Sequence, residues 1–188
     1  MRKLIYGMIV SVDGFIEDRN GKIEWTTPDE EIHRHFNTLE RDTVLHLCGR
    51  KLYEVMEFWR TAEQTQSLND YEIEFARLYL SKSKVVYSKT LEKVAPGDNL
   101  IREIDIEYIK NQKKLPGEYI SIGGADLAGS FMQLNLIDEI RLYILPIVLG
   151  GGKPMFHSQQ HKFNMKLVET KNFESGMILL RYQNCSID

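Results

Sequence analysis

Cysteine is nearly missing from this chain. Cys48 and Cys185 stand far apart in 188 residues, with no Cys-x-x-Cys and no Cys/His spacing, so neither a disulfide framework nor a zinc site is indicated, and the usage fits a reducing cytosol. Long apolar runs are lacking as well: no stretch approaches the roughly 20 residues that a membrane-spanning helix requires. The basic, apolar start at Leu4 to Val10 is short, has no small-residue cleavage site after it and meets Asp13 at once, so it reads as a first strand rather than a leader. Nor is there an excess of charge. Against 24 Lys and Arg stand 27 Asp and Glu, a net of -3, and the lysines are scattered, which leaves no basic stripe for nucleic acid or an anionic membrane. Linkers, repeats and low-complexity tracts are absent too, and with 43% hydrophobic and 27% charged residues the chain is expected to form a single domain over 1–188.

Common chemical signatures are missing in the same way. There is no Gly-x-Gly-x-x-Gly and no Gly-x-x-x-x-Gly-Lys-Ser/Thr loop, and Ser121 and Ser130 lack the His/Asp pattern of a hydrolase. The five histidines are scattered; His157 and His161 have metal-ligand spacing but no carboxylate beside them, so no metal is expected.

What is present is an alternation of elements. Strand-length apolar runs fall at Leu4 to Val10, Val44 to Cys48, Lys84 to Tyr87, Tyr119 to Ile122, Ile140 to Leu149, Leu167 to Thr170 and Met177 to Tyr182. Helical spacing fills the gaps between the first four. Pro28 opens one helix with Asp29, Glu30 and Glu31 in its first turn and Ile32, Phe36 and Leu39 as the inward stripe. Gly49 precedes a second helix, Ser67 to Leu80 is a third, Ile104 to Lys110 a shorter fourth, and another begins after Gly124. Strands alternating with helices call for right-handed crossovers and a largely parallel sheet covered on both faces. The last two runs are joined by Asn172 to Gly176 with no helix between them, which predicts an antiparallel hairpin. The expected fold is α/β: one central, mixed but mostly parallel sheet, helices on both faces and a C-terminal antiparallel hairpin.

Four motifs could carry chemistry. In Tyr119 to Ala128 an apolar run breaks at Gly123-Gly124 and resumes with helical spacing, which suits a strand delivering a phosphate to a helix start; a tight structural turn would use the same glycines. Gly49-Arg50-Lys51 puts two cations just after another strand end, where they oppose the helix dipole unless an anion such as a 2′-phosphate lies between them; a solvated basic turn is the alternative. Ser88-Lys89-Thr90 offers hydroxyls and a cation at a third strand end, or simply caps the next segment. Asp13-Gly14 is a turn signal, and Glu30 lies one turn into its helix beneath Trp25, where a partly apolar cleft would raise a carboxyl pKa and equip it for acid chemistry; a solvated first-turn glutamate is the plainer reading.

Taken together, these residues resemble the dihydrofolate reductase-like superfamily, and within it the bacterial proteins related to the reductase domain of the riboflavin-biosynthesis deaminase-reductase. The anchors run in order over nearly the whole chain: Ser11-x-Asp13-Gly14-Phe15-Ile16, Trp25-x-x-Pro28-x-Glu30, Gly49-Arg50-Lys51-x-Tyr53-Glu54, Ser88-Lys89-Thr90-Leu91, Ile122-Gly123-Gly124-Ala125, and Leu136-Ile137-Asp138-Glu139 leading into Pro146-Ile147-Val148-Leu149-Gly150-Gly151-Gly152. The resemblance implies NADPH as hydride donor. On it, Gly49, Arg50 and Lys51 would hold the 2′-phosphate, Ser88 and Lys89 the adenine ribose, and the backbone of Gly123, Gly124, Ala125, Asp126 and Leu127 the pyrophosphate. Ile9, Ile16 and the loop from Asp13 would border the nicotinamide, with Glu30 and Asp13 as the catalytic candidates. Tyr6, Met8, Trp25 and Tyr143 would line the cleft of a flat nitrogen heterocycle. Tyr143 stands where true dihydrofolate reductases have a threonine, and only Lys82 or Lys84 falls near the arginine that grips the folate tail, so folate itself is disfavoured. The deaminase zinc motif is absent. The reaction most like this set is reduction of 5-amino-6-(5-phosphoribosylamino)uracil; a dihydrofolate or pterin reductase and a non-catalytic NADP-binding module are the alternatives. The resemblance further implies a cytoplasmic homodimer that packs through Ile140 to Leu149 and the terminal hairpin.

Overall fold

The structure is a computed structural model that describes residues 1–156 and 162–185. In chain order the elements are β1 (Lys3–Ser11), β2 (Phe15–Glu17), a 3₁₀ turn at Glu24–Thr26, α1 (Glu30–Asp42), β3 (Thr43–Gly49), α2 (Arg50–Met56), a 3₁₀ turn at Glu57–Arg60, α3 (Ala62–Thr65), α4 (Asp70–Leu80), β4 (Ser83–Tyr87), β5 (Asn99–Ile101), α5 (Ile106–Lys114), β6 (Tyr119–Gly123), α6 (Ala125–Gln133), β7 (Glu139–Leu145), β8 (Lys153–Pro154), β9 (Met165–Asn172) and β10 (Ile178–Asn184). Eight strands form one sheet in the order β5-β4-β3-β6-β1-β7-β10-β9. Every pairing from β5 to β7 is parallel, while β10 lies antiparallel to both β7 and β9. The expected α/β domain with its C-terminal hairpin is therefore found. No helix among the described residues is long and apolar enough to cross a membrane.

Alternation along the strands decides the two faces. Leu4 and Tyr6 of β1, Leu45 and Leu47 of β3, and Ile120 and Ile122 of β6 join Leu127, Ala128 and Phe131 of α6 and Ile109 of α5 in the larger core. The opposite face buries Tyr143, Phe173, Met177 and Leu179 against Ile32, Phe36 and Leu39, the stripe read for α1. Asp29 starts that helix, its carboxylate accepting the Ile32 amide at 2.9 Å. The third predicted helix begins at Asp70, after a capping box between Asn69 and Glu72, rather than at Ser67.

Two sequence expectations fail here. The strand expected over Ile140 to Leu149 ends at Leu145, because Pro146 has no N–H to continue the ladder. That strand is also no edge: β7 is paired on both sides, and the open edges belong to β5 and β9. Edge-to-edge pairing of β7 with a second copy is therefore not available. His157 and His161 lie outside the described residues.

The α1 face also buries polar groups. Tyr143, 2% exposed, places its hydroxyl 3.2 Å from His35 Nε2. Burial first, then the nearby positive charges of Lys171 and Arg141, lower the His35 pKa from 6.5 to about 4. In the fold His35 is neutral at pH 5, whereas the unfolded chain takes up a proton there, so stability is full above pH 6.5 and falls as the pH drops toward 4. Chemical denaturation of wild type should show that decline, and His35→Gln should flatten it; an unchanged slope would refute the assignment.

Candidate functional site

The parallel strands β4, β3 and β6 end level with one another, Gly49 opposite Tyr87 and Cys48 opposite Gly123. Beyond these ends lies a groove of about 770 Å³, within the size range of small-molecule and cofactor sites. Ser88, Lys89, Thr90 and Arg102 line it beside β4; Gly49, Arg50 and Lys51 line it after β3, and Gly124, Ala125, Asp126 and Leu127 after β6. Met8, Ile16, Ile23, Leu52 and Val55 supply an apolar portion, with Glu17 and Lys153 beside them.

Glycine makes this geometry possible. Gly124 has φ +97°, a conformation costly to residues with a Cβ, and a Cβ there would lie 3.5 Å from the Gly49 Cα and 3.6 Å from its nitrogen. Two turns thus pack backbone to backbone. Helix starts differ in their caps. α1, α4 and α5 begin at Asp29, Asn69 and Asp105, whose side chains accept first-turn amides, while the short α3 has no side-chain cap. The helices that open onto the groove, α2 and α6, begin at Gly49 and Gly124 with no side-chain cap. In α6 no side chain caps the first turn, an arrangement suited to an anion.

Charges are distributed along the same walls. The Arg50 guanidinium donates to both Glu54 carboxylate oxygens at 3.0 and 3.1 Å, and Lys51 Nζ lies 3.9 Å from Glu17. Ser88 Oγ accepts the amides of Thr90 and Leu91, so the hydroxyl shapes its own loop. Arg102 fixes that loop further by donating to the carbonyls of Ser88 and Leu91 at 2.7 and 2.6 Å. Lys153 Nζ donates to Asp126 across the groove at 2.8 Å.

Of the residues singled out from sequence, Met8, Ile16, Gly49, Arg50, Lys51, Ser88, Lys89, Gly124, Ala125, Asp126 and Leu127 meet in this groove, and Gly123 sits just behind at the end of β6. Others do not. Tyr6 is buried in the core below the groove, its hydroxyl donating to the Met155 carbonyl at 3.1 Å; burial, and secondarily the charge of Asp126, raise its pKa. Ile9 and Tyr143 lie on the α1 face. Trp25 donates to the Lys22 carbonyl on the surface, and the Glu30 side chain, 61% exposed, pairs with Arg34 at 2.8 Å, so the apolar cleft expected around that carboxylate is not formed. Lys82 and Lys84 donate to backbone carbonyls elsewhere, Lys84 from within the core.

Asp13 has a structural task. Its carboxylate accepts the amides of Leu149 at 3.1 Å and Gly150 at 2.7 Å and so ties the glycine-rich loop to the turn after β1. A hydrogen bond with Ser11, followed by those two amides, holds its carboxyl below the usual range.

Glu17, Ile23, Leu52, Val55, Arg102 and Lys153 were missed from sequence. Lys153 carries a faint signal, since it closes the Gly150-Gly151-Gly152 run; Arg102 follows the strand Asn99–Ile101, which is too short to read by periodicity.

Comparison with known proteins places this geometry in context. The family model of the RibD C-terminal domain matches residues 117–179. The chain is 35% identical over 182 residues to the uncharacterized protein YyaP of Bacillus subtilis (strain 168), covering 96% of this chain and 94% of that one. Among solved structures it is similar to a candidate riboflavin biosynthesis protein from Shewanella sp. PV-4, with TM-score 0.74, 20% identity, and coverage of 97% of this chain and 98% of that one. It is similar also to the diaminohydroxyphosphoribosylaminopyrimidine deaminase/5-amino-6-(5-phosphoribosylamino)uracil reductase of Thermotoga maritima, with TM-score 0.69 and 14% identity; there it covers 98% of its own length and 57% of the longer chain. At these identities the two structural likenesses speak for the fold.

If Asp13 anchors the loop, Asp13→Ala should release it, and the Leu149 and Gly150 amides should lose hydrogen-exchange protection. In wild type that protection, full above the ordinary carboxyl pKa, should persist until the pH falls through the lowered one. Loss already at pH 5 would refute the anchor.

Proposed function

This chain belongs to the RibD C-terminal domain family, and from that premise we propose that it is an NADPH-dependent reductase of a small nitrogen heterocycle. One observation carries the reading: the uncapped start of α6, the Gly124 turn and the cations Arg50 and Lys51 face one groove large enough for a dinucleotide. The residues fit the group, because α6 starts without a side-chain cap and Gly124, at φ +97°, keeps a Cβ out of the turn before it.

NADPH, when bound, supplies the hydride; the protein supplies alignment, charge and a dry surface. Arg50 and Lys51 would hold the 2′-phosphate, with the guanidinium fork suited to two of its oxygens. Their pairing with Glu54 and Glu17 keeps both cations in place before the anion arrives. The Ser88–Leu91 loop, set by Arg102, would border the ribose, and the α6 amides would receive the pyrophosphate. Met8 and Ile16 would keep water from the nicotinamide and the substrate ring. Glu30 is held in its exposed pair with Arg34, outside the groove.

The substrate named for the Thermotoga structure, 5-amino-6-(5-phosphoribosylamino)uracil, heads the panel to be tried, ahead of pterins and dihydrofolate. Loss of reduced-nicotinamide absorbance with any of them supports the reductase. Tight NADPH binding with no oxidation across the panel would favour a nucleotide-binding module instead. Arg50→Ala should weaken NADPH by about ten- to a hundredfold, as expected for a lost charge-assisted contact. NADH binding should change less than about threefold, and equal losses for both would refute the role.

Two free thiols, Cys48 buried and Cys185 exposed, support work in a reducing cytosol. A homodimer would use β9, the edge strand that exposes Met165, Leu167 and Val168. Solution scattering at micromolar concentration should report twice the chain mass, and the mass of a single chain would reject it.

A further inference from the structure

β2 and β8 form a small antiparallel pair apart from the main sheet, with Phe15 opposite Pro154 and Glu17 opposite Lys153. This flap is tied down at its base: the Met155 amide donates to the Gly14 carbonyl at 2.9 Å, and the Met155 carbonyl accepts the Tyr6 hydroxyl at 3.1 Å. Its backbone has no slack. Gly152, at φ +146°, lies so close to β2 that an added Cβ would stand 1.9 Å from the Glu17 carbonyl oxygen. Held in this way, Lys153 extends over the groove to the first turn of α6, where its ammonium meets Asp126 Oδ2 at 2.8 Å. Lys153 is 19% exposed at the side chain and Asp126 75%, and both line the groove.

Asp126 presents a difficulty for the proposed function. A carboxylate in the first turn of α6 stands where the pyrophosphate would arrive, and like charges at that distance oppose each other. Lys153 resolves it. An ammonium has three donors, so one can stay on Asp126 while others reach a phosphate oxygen.

We propose that Lys153 is a positioning residue for the dinucleotide: held over the groove by the fixed β2–β8 flap, its ammonium bridges the Asp126 carboxylate and the pyrophosphate. The proposal rests on the reductase reading and adds to it a cation that offsets Asp126 on the phosphate side of the groove. It predicts effects of opposite sign. Removing the ammonium weakens the dinucleotide, and removing the carboxylate strengthens it. A strut between flap and body behaves otherwise, since losing either end loosens the same contact.

The test titrates wild type, Lys153→Met, Asp126→Asn and Lys153→Arg with NADPH, NADH and inorganic pyrophosphate, after thermal unfolding has established that each variant is folded. Lys153→Met should raise the Kd about tenfold for NADPH and NADH alike, because the pyrophosphate is common to both, and should weaken inorganic pyrophosphate as well. Asp126→Asn should lower all three constants about threefold, and Lys153→Arg, which keeps the charge, should stay within threefold of wild type. Shifts of the same sign in Lys153→Met and Asp126→Asn, a loss confined to NADPH, or an Arg variant as weak as Met would overturn the bridge and leave the reductase standing. Wild type that binds neither dinucleotide nor pyrophosphate would overturn both. Should Lys153→Met fail to fold, the sign of the Asp126→Asn shift decides alone.

Discussion

The approach of two glycine turns, Gly49 after β3 and Gly124 after β6, is the constraint on which the site depends. Their backbones approach to ordinary van der Waals contact, and the left-handed conformation of Gly124, φ +97°, is what requires glycine there. From that contact follow the direction of α6, the orientation of its first amides and the nearness of Arg50 and Lys51 to them. A side chain at Gly124 would strain the turn whatever the space around it. Strand pairing then spreads the arrangement sideways, because β3 is bonded to β6 on one side and to β4 on the other, and all three run the same way. A parallel sheet collects its carboxyl ends on one rim, and ligands gather there because the loops on that rim are free of packing duties.

The two faces of the sheet divide the remaining work. The face under α5 and α6 is almost wholly apolar and gives the groove a rigid floor. The α1 face carries the polar load. Glu139 and Arg141 are both buried and bonded to each other at 2.6 Å, with Arg181 beside them, and His35 meets Tyr143 farther along the strand. Such groups stabilise the fold only while each keeps its partner. The glycine-rich loop is managed in a third way: instead of packing, its amides are collected by one carboxylate, Asp13, from the turn it faces.

Much of the fold was legible in the chain. Periodicity located the central strands and the long helices, since an amphipathic stripe such as Ile32, Phe36 and Leu39 has the same spacing whether or not its partner is known. Short elements escaped. β2, β5 and β8 have two or three residues each, fewer than a period-2 pattern needs to declare itself, and they are held by neighbours distant in sequence. The overlong seventh strand reflects the same limit, because Ile147, Val148 and Leu149 are apolar enough for a strand and only Pro146 and the pull of Asp13 make them a loop.

Residue type and local order by themselves determined that three successive strand ends carry groups suited to phosphate and ribose, because glycine pairs and adjacent cations act through backbone freedom and charge, which are local properties. Tertiary structure alone decided which of those groups share a groove. Glu30 and Arg34 lie one helical turn apart and found each other, so that carboxylate turned to solvent. Tyr143 went to the α1 face by the alternation of β7. Lys153 and Asp126, 27 residues apart, met across the groove. A side chain's chemistry belongs to its residue; its neighbours are chosen by strand register and by the entropy of closing loops, which no window of sequence contains.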